Sequence, residues 1–360
     1  MKKITVAVFF GGPSSEYGVS LESAYSVIGN LDSAKYTPVP IGISQEGKWY
    51  YYTGDPAKIK SDQWLESKDN CVPAMLSLDH DAHMLFIFKE NRIETLPIDA
   101  AFPVMHGKYG EDGTIQGLIA LTGIPLVGCG VLSSALCMDK DRAHKLAALS
   151  GIAVPRAFTF KQDYDSTALQ KQAEEIGYPL FVKPVKAGSS YGITKVSCKE
   201  QLLPAVTLAF EYDDEVLVEE CIEGFEVGCA VMGTDTLTVG EVDEIELSGG
   251  FFDFTEKYTL KTSAIHVPAR IDKMTAGRIQ QTARTLYKAL GCSGFARVDM
   301  FLTPEGRIVF NEINTIPGFT EHSRFPGMMK AAGISFPQIL DTIIGQALAD
   351  KETLQKGEKA

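Results

Sequence analysis

At 360 residues, the chain is longer than the roughly 100 to 200 residues of a single domain, which predicts two or three domains with a cleft between them. Apolar residues at 45% and charged residues at 22% are ordinary for a globular protein in water, and no apolar run reaches the roughly 18 residues of a membrane span. The net charge of -12 disfavours a nucleic acid partner, because phosphate backbones are bound by clustered Lys and Arg.

The start, Met1-Lys2-Lys3 followed by ITVAVFF, imitates a signal peptide, but the apolar run stops at Gly11-Gly12. It reads as a first buried strand with no export. SLESAYSVIGNL, TPVPIGI and the polar turns around WYYYTGD continue a βαβ rhythm, which predicts a parallel sheet. After MLFIF and AAFPVMHG, the glycines of GKYGEDGTIQGLIALTGIPLVG interrupt the pattern, and a helix leads into a short strand. The α/β domains are therefore drawn at 1–126, 127–218 and 219–348, with a polar tail at 349–360 that frays. The second unit holds a helix in SSALCMDKDRAHKLAALSGI and two strands, LFVKPV and ITKV, flanking a loop. The third begins at EVLVEECI and carries CAVMG, TLTVGEV, ARVDMFL and RIVFNEI as strands. Cys71, Cys129, Cys137, Cys198, Cys221, Cys229 and Cys292 are odd in number and never spaced C-x-x-C, which argues against a disulfide framework or zinc site and fits reducing cytoplasm.

Two motifs carry chemistry. In Lys183-Pro184-Val185-Lys186-Ala187-Gly188-Ser189-Ser190-Tyr191-Gly192, small residues let backbone N–H groups approach phosphate oxygens, and Lys183 adds a compact positive charge. Alone, the same run also suits a plain hairpin loop, and it is not a Walker A sequence. In Arg297-Val298-Asp299-Met300 and Glu312-Ile313-Asn314, strand alternation puts Arg297 and Asp299 on one face, and likewise Glu312 and Asn314. Two carboxylates and an amide form a hard oxygen set suited to Mg²⁺ on nucleotide phosphates, the plainer alternative being acids paired with a Lys or Arg. Gly11-Gly12-Pro13 lacks the rest of a G-x-G-x-x-G dinucleotide loop, and His80, His83, His144, His266 and His322 show no ligand spacing.

With PVMHGKYGEDGTIQG (103–117) and EINTIPGFTEHSRFP (312–326), these motifs resemble the D-alanine-D-alanine ligase family from about Val6 to Leu340. The resemblance implies an α/β, ATP-grasp fold in three domains, with the nucleotide between the central and C-terminal ones. It implies ATP and two Mg²⁺ ions, with Mn²⁺ able to substitute, and D-alanine plus D-serine or D-alanine as substrates. A cytoplasmic homodimer with no nucleic acid or membrane partner is expected. Lys140 and Lys183 match the phosphate-binding lysines, Glu219 and the backbone near Ile222 the adenine contacts, and Glu226 the ribose contact. Glu220 stands where several relatives have Lys. Asp299, Glu312 and Asn314 match the magnesium ligands. Lys257 reaches the γ-phosphate from a lid over 248–266 hinged at Gly249-Gly250, and Tyr258 bonds Ser189 and Glu16, the carboxylate that holds the first ammonium. Tyr17 replaces the usual His or Arg of that subsite. Arg297 and the Gly318 N–H match the oxyanion donors, Ser323 joins the catalytic group, and His106 is read as a pocket wall.

A free carboxylate does not accept an amine, so ATP first converts it to a D-alanyl phosphate, which the second amine attacks under a closed lid that excludes water. Phe252, where D-alanine enzymes usually have Tyr, and Arg324, where they have Leu or Met, resemble the vancomycin-resistance D-alanine:D-serine ligases, and that likeness implies D-serine as the second substrate. D-lactate is disfavoured because Lys257-Tyr258 is kept. The rival of a different class is a non-catalytic nucleotide-binding α/β protein.

Overall fold

The apolar run at the N-terminus forms strand β1 (Ile4–Gly11), whose residues Val6 to Phe10 are fully buried, as befits a strand covered on both faces. The computed structural model that places it describes residues 2–247 and 263–357. Strand β2 (Tyr36–Ile43) pairs with β1 in parallel. The sheet then continues through β3 (Trp49–Tyr52), β4 (Cys71–Leu76), β5 (Met84–Lys89) and β6 (Arg92–Pro97), each antiparallel to the one before. On the other side of β1 lies β7 (Ala100–Pro103), in parallel. Thus the expected parallel sheet is only its β2-β1-β7 core. Links such as 44–48, 77–83 and 90–91 are too short for a crossover helix, and short links join antiparallel neighbours.

A second sheet, wholly antiparallel, contains β8 (Ala157–Lys161), β9 (Leu180–Pro184), β10 (Thr194–Val196) and β11 (Glu215–Glu220), in the order β10-β9-β11-β8. Strand β11 is the EVLVEE run assigned above to the third unit. It is bonded on both edges within the second sheet, so the boundary is better drawn after Glu220 than at 218/219. The third sheet has β12 (Phe225–Met232), β13 (Thr238–Leu247), β14 (Ser263–His266), β15 (Phe295–Leu302) and β16 (Ile308–Asn314), in the order β14-β13-β12-β15-β16.

Helix Tyr17–Asn30 packs on β1, and Lys273–Ala289 covers β12 and β13 after a start capped by Asp272, whose Oδ1 accepts the N–H of Met274 and Thr275 at 2.9 and 3.0 Å. The core of the first sheet continues into the C-terminal part through rings in edge-to-face contact: Phe102 to Phe319 (5.7 Å) and Phe295 to Phe319 (5.1 Å). This shared core anchors the 315–323 loop. Of the expected polar tail, residues 349–357 are instead the end of helix Phe336–Gly357, and Lys351 ties it down by donating to the Gly123 carbonyl at 2.6 Å. Its Ala, Glu, Leu, Gln and Lys residues favour helix over fraying.

Candidate active site

Strands β15 and β16 run antiparallel with Arg297 opposite Asn314 and Asp299 opposite Glu312, so alternation brings all four side chains to one face. Arg297 clasps Asp299 in a fork, Nε at 2.9 Å from Oδ1 and Nη2 at 2.7 Å from Oδ2, and the Asn314 amide donates to the same Oδ2 at 3.0 Å. Asp299 is 1% exposed. A carboxylate at that depth needs such partners.

Arg324 opens helix Arg324–Ala331 and its guanidinium is also buried. Nε and Nη2 reach the two oxygens of Asp243 on β13 at 2.7 and 2.8 Å, Nη1 reaches Glu226 on β12 at 2.7 Å, and Nη2 lies 3.4 Å from Asp299. Glu321, the nearby surface acid that a plainer reading would pair with Arg324, is not among its partners in the described residues. Asp243, which sequence reasoning missed, is wholly buried, so the cation above it is what keeps its charge tolerable.

Two cavities meet at Glu312. The first, about 700 Å³, lies between the second and third sheets and is lined by Lys140, Lys183, Ser189, Glu219, Glu220, Ile222, Glu226 and Glu312. Its size suits a nucleotide-sized ligand. Lys183 pairs with Glu219 at 2.5 Å, and Lys140 donates to the Ala187 carbonyl at 2.7 Å, which places two ammonium groups beside the glycine loop. Glu219 Oε2 is buried and accepts no bond among the described residues, an acceptor aimed at a ligand donor such as an adenine amino group. Glu220 is drawn aside by Arg156 at 2.8 Å.

The second cavity, about 620 Å³, is lined by Glu16, His106, Glu111, Gly188, Ser189, Arg297, Asn314, Gly318, Ser323 and Arg324. Ser189 donates to Glu16, and it and Ser190 hold the left-handed conformation (φ +48° and +60°), which non-glycine residues adopt only where the surroundings demand it. A Cβ on Gly188 would stand 2.7 Å from Glu16 Oε2, so the loop backbone passes close over the carboxylate, and a side chain there would push Glu16 aside. Ser323 Oγ accepts the Thr320 N–H at 3.1 Å, closing the turn beside Gly318. Tyr17 faces the core: its hydroxyl accepts from Trp64 Nε1 at 2.9 Å and donates to Asp62 at 3.1 Å.

His106 lines this cavity, but both ring nitrogens are engaged, Nδ1 with the Ile316 carbonyl at 2.8 Å and Nε2 with Ser23 Oγ at 3.0 Å. Burial pushes its pKa down to about 4, so the ring is neutral near pH 7. Sequence reasoning also missed Glu111, whose oxygens accept the N–H of Gly107 at 2.9 Å and of Ile316 at 3.1 Å. Burial, and then the negative charge of Glu16, push this carboxyl upward. Its signal in the sequence was a second acid beside the turn-forming Asp112 in a glycine-rich loop. Phe252, Lys257, Tyr258 and the expected Gly249-Gly250 hinge lie outside the described residues.

Residues 5–129 match the sequence model of the D-ala D-ala ligase N-terminus, and residues 146–345 that of the D-ala D-ala ligase C-terminus. The chain belongs to the D-alanine-D-alanine ligase family. Vancomycin C-type resistance protein VanC1 of Enterococcus gallinarum is 46% identical, with 98% of this chain and all of that protein covered. The D-alanine--D-alanine ligase of Caldicellulosiruptor bescii is 42% identical over 97% of this chain and 96% of its own. Among solved structures, the VanG D-Ala:D-Ser ligase of Enterococcus faecalis superposes with a TM-score of 0.89 at 57% identity, over 96% of this chain and 100% of that one. The fold of this ligase is therefore ATP-grasp, its reaction ATP-dependent, and its family that of cell-wall synthesis and vancomycin resistance.

Magnesium is the metal such a ligase implies. Among the described residues, no three His, Cys, Asp or Glu side chains form a metal cluster, and the candidate set is two acids and an amide. In kind it fits: hard oxygens on paired strands where the two cavities join. Arg297 and the Asn314 amide nitrogen orient Asp299, and Glu312 stands opposite it on the neighbouring strand, so the three candidate donors share one face.

Proposed function

We propose that this ligase joins D-alanine to D-serine through a D-alanyl phosphate. The carrying observation is the buried Arg324 guanidinium on the wall of the second cavity, held at a fixed angle by Asp243 and Glu226. A pocket for serine must give its hydroxyl a partner, since an unpaired buried hydroxyl costs roughly 1 to 3 kcal/mol. Of the five guanidinium N–H groups, the fork to Asp243, the bond to Glu226 and the approach to Asp299 engage four, leaving one on Nη1 among the described residues. Phe252 in the sequence and the likeness to the D-Ala:D-Ser ligase favour the same substrate.

The roles are those the family resemblance implies, and the positions of the described side chains support them. Lys140 and Lys183 hold the nucleotide phosphates, Glu219 and Ile222 the adenine, and Glu226 the ribose edge. Asp299, Glu312 and Asn314 hold Mg²⁺, which when bound neutralises phosphate charge. Glu16, oriented by Ser189, takes the ammonium of the first D-alanine. Arg297 and the Gly318 N–H receive the oxyanion that forms when the second amine attacks. The family resemblance assigns Lys257 to the γ-phosphate and Tyr258 to Ser189 and Glu16, and both lie outside the described residues. The cytoplasm, where ATP is available, suits the chain's seven free cysteines, and we take it to act as a homodimer. The test is ATP- and Mg²⁺-dependent phosphate release with D-alanine plus D-serine, D-alanine or D-lactate: the D-serine pair should be turned over most efficiently, and a higher kcat/KM for either rival contradicts the proposal.

A further inference from the structure

We propose that Glu111 and His106 are positioning residues: they hold the two peptide groups that flank Ile316, Glu111 the one before it and His106 the one after, and so aim the Gly318 N–H at the oxyanion of the second step. This rests on the reading of Gly318 as an oxyanion donor.

The grip spans the chain. Ile316 donates its N–H to Glu111 and accepts His106 Nδ1–H at its carbonyl, across 205 and 210 residues of sequence. Three residues on, Phe319 donates its N–H to Ser23 Oγ at 3.2 Å, and Ser23 is itself bonded to His106 Nε2. The hydrogen positions follow by elimination. A carbonyl only accepts, so Nδ1 carries the proton. The buried ring is neutral, so Nε2 accepts, and the Ser23 hydroxyl must donate to it. The remaining lone pairs of Ser23 then take the Phe319 N–H. Every polar atom in this buried relay has a partner.

Gly318 sits inside the bracket. Pro317 has no N–H and a fixed φ, so the orientation of the 316–317 peptide, held at its carbonyl by His106, passes to the Gly318 N–H through few free torsions. The N–H groups of 316 and 319 are committed, and that of Gly318 makes no bond among the described residues. It therefore remains for a ligand, on the wall of the cavity that Arg297 shares. All three gripping side chains come from the N-terminal part, on helix Tyr17–Asn30 and the 104–113 loop, whereas the gripped loop follows β16. The oxyanion donor is thus set by residues outside the strands that carry Arg297 and Glu312.

Two substitutions at one position separate aiming from mere packing. In His106→Asn the amide nitrogen falls near Nδ1 and keeps the bond to Ile316, whereas His106→Gln reaches toward Nε2 and keeps only Ser23. Dipeptide formation should stay within about threefold of wild type in His106→Asn and fall about ten- to a hundredfold in His106→Gln, the size of a donor misplaced by an ångström or so. In His106→Gln more phosphate should be released per dipeptide, as acyl phosphate is lost to water, with the KM for ATP unchanged. Equal or reversed effects in variants of equal Tm overturn the inference. If either variant fails to fold, Glu111→Gln and Ser23→Ala replace them, and a wild-type phosphate-to-dipeptide ratio in both also overturns it. A wild-type enzyme that releases no phosphate with D-alanine defeats the underlying reading instead.

Discussion

Arg324 and Asp243 meet in a two-point fork, Nε and Nη2 of the one reaching the two carboxylate oxygens of the other at 2.7 and 2.8 Å across 81 residues of sequence. Asp243 is wholly buried, so the two charges stand or fall together. Arg324→Met alone should destabilise the protein by about 3 to 5 kcal/mol, because it strands a buried carboxylate. The double variant Arg324→Met with Asp243→Asn should recover much of that loss in chemical denaturation. It should also lose about ten- to a hundredfold in kcat/KM for D-serine relative to D-alanine, the equivalent of one charge-assisted hydrogen bond. A double variant no more stable than the single one would show that the fork is not the source of the cost.

Glu312 lies where the two cavities join, opposite Asp299 on the neighbouring strand. Glu312→Gln keeps the shape and removes the charge that a phosphate-bound ion requires. Ligation should drop below detection while circular dichroism and Tm stay near wild type, and titration of Mg²⁺ with ATP should show weakened binding. Unchanged turnover in the folded variant would remove Glu312 from the metal site.

His106 gives the protein an acid limb. Its folded pKa is depressed to about 4 from an ordinary 6.5, so between those values the unfolded chain binds the extra proton and the native state does not. Its contribution is present above about pH 6.5 and is lost as pH falls toward 4, and the shift sets an upper size of about 3 kcal/mol. His106→Asn should therefore lose less stability than wild type between pH 7.5 and 4.5. Parallel stability curves for the two proteins would contradict that source.

The legible part of the site was the part that strand periodicity and local spacing control. Arg297, Asp299, Glu312 and Asn314 alternate on two strands, and Lys183 opens a glycine loop, so their convergence follows from residue order alone. Asp243 and Glu111 could not be read in this way. Each acts on a partner more than eighty residues away, and each sits among other acids, Asp243 in EVDEIE and Glu111 beside Asp112, with nothing local to say which one turns inward. The fold shows the same division. Individual strands followed from apolar runs, but the antiparallel half of the first sheet and the membership of β11 depend on which edges find hydrogen-bond partners. For the C-terminal segment, polarity was a poor guide, because helix propensity and the anchor at Lys351 outweigh it.

The central claim is that the second site selects serine, and a competition assay addresses it most directly. The enzyme is supplied with saturating ATP, Mg²⁺ and limiting, equal concentrations of D-alanine and D-serine, and the dipeptides are counted by mass spectrometry. D-alanyl-D-serine should exceed D-alanyl-D-alanine by about tenfold or more, as one well-placed hydrogen bond to the hydroxyl allows. A product mixture dominated by D-alanyl-D-alanine would contradict the claim, and would leave Arg324 as a buried structural cation.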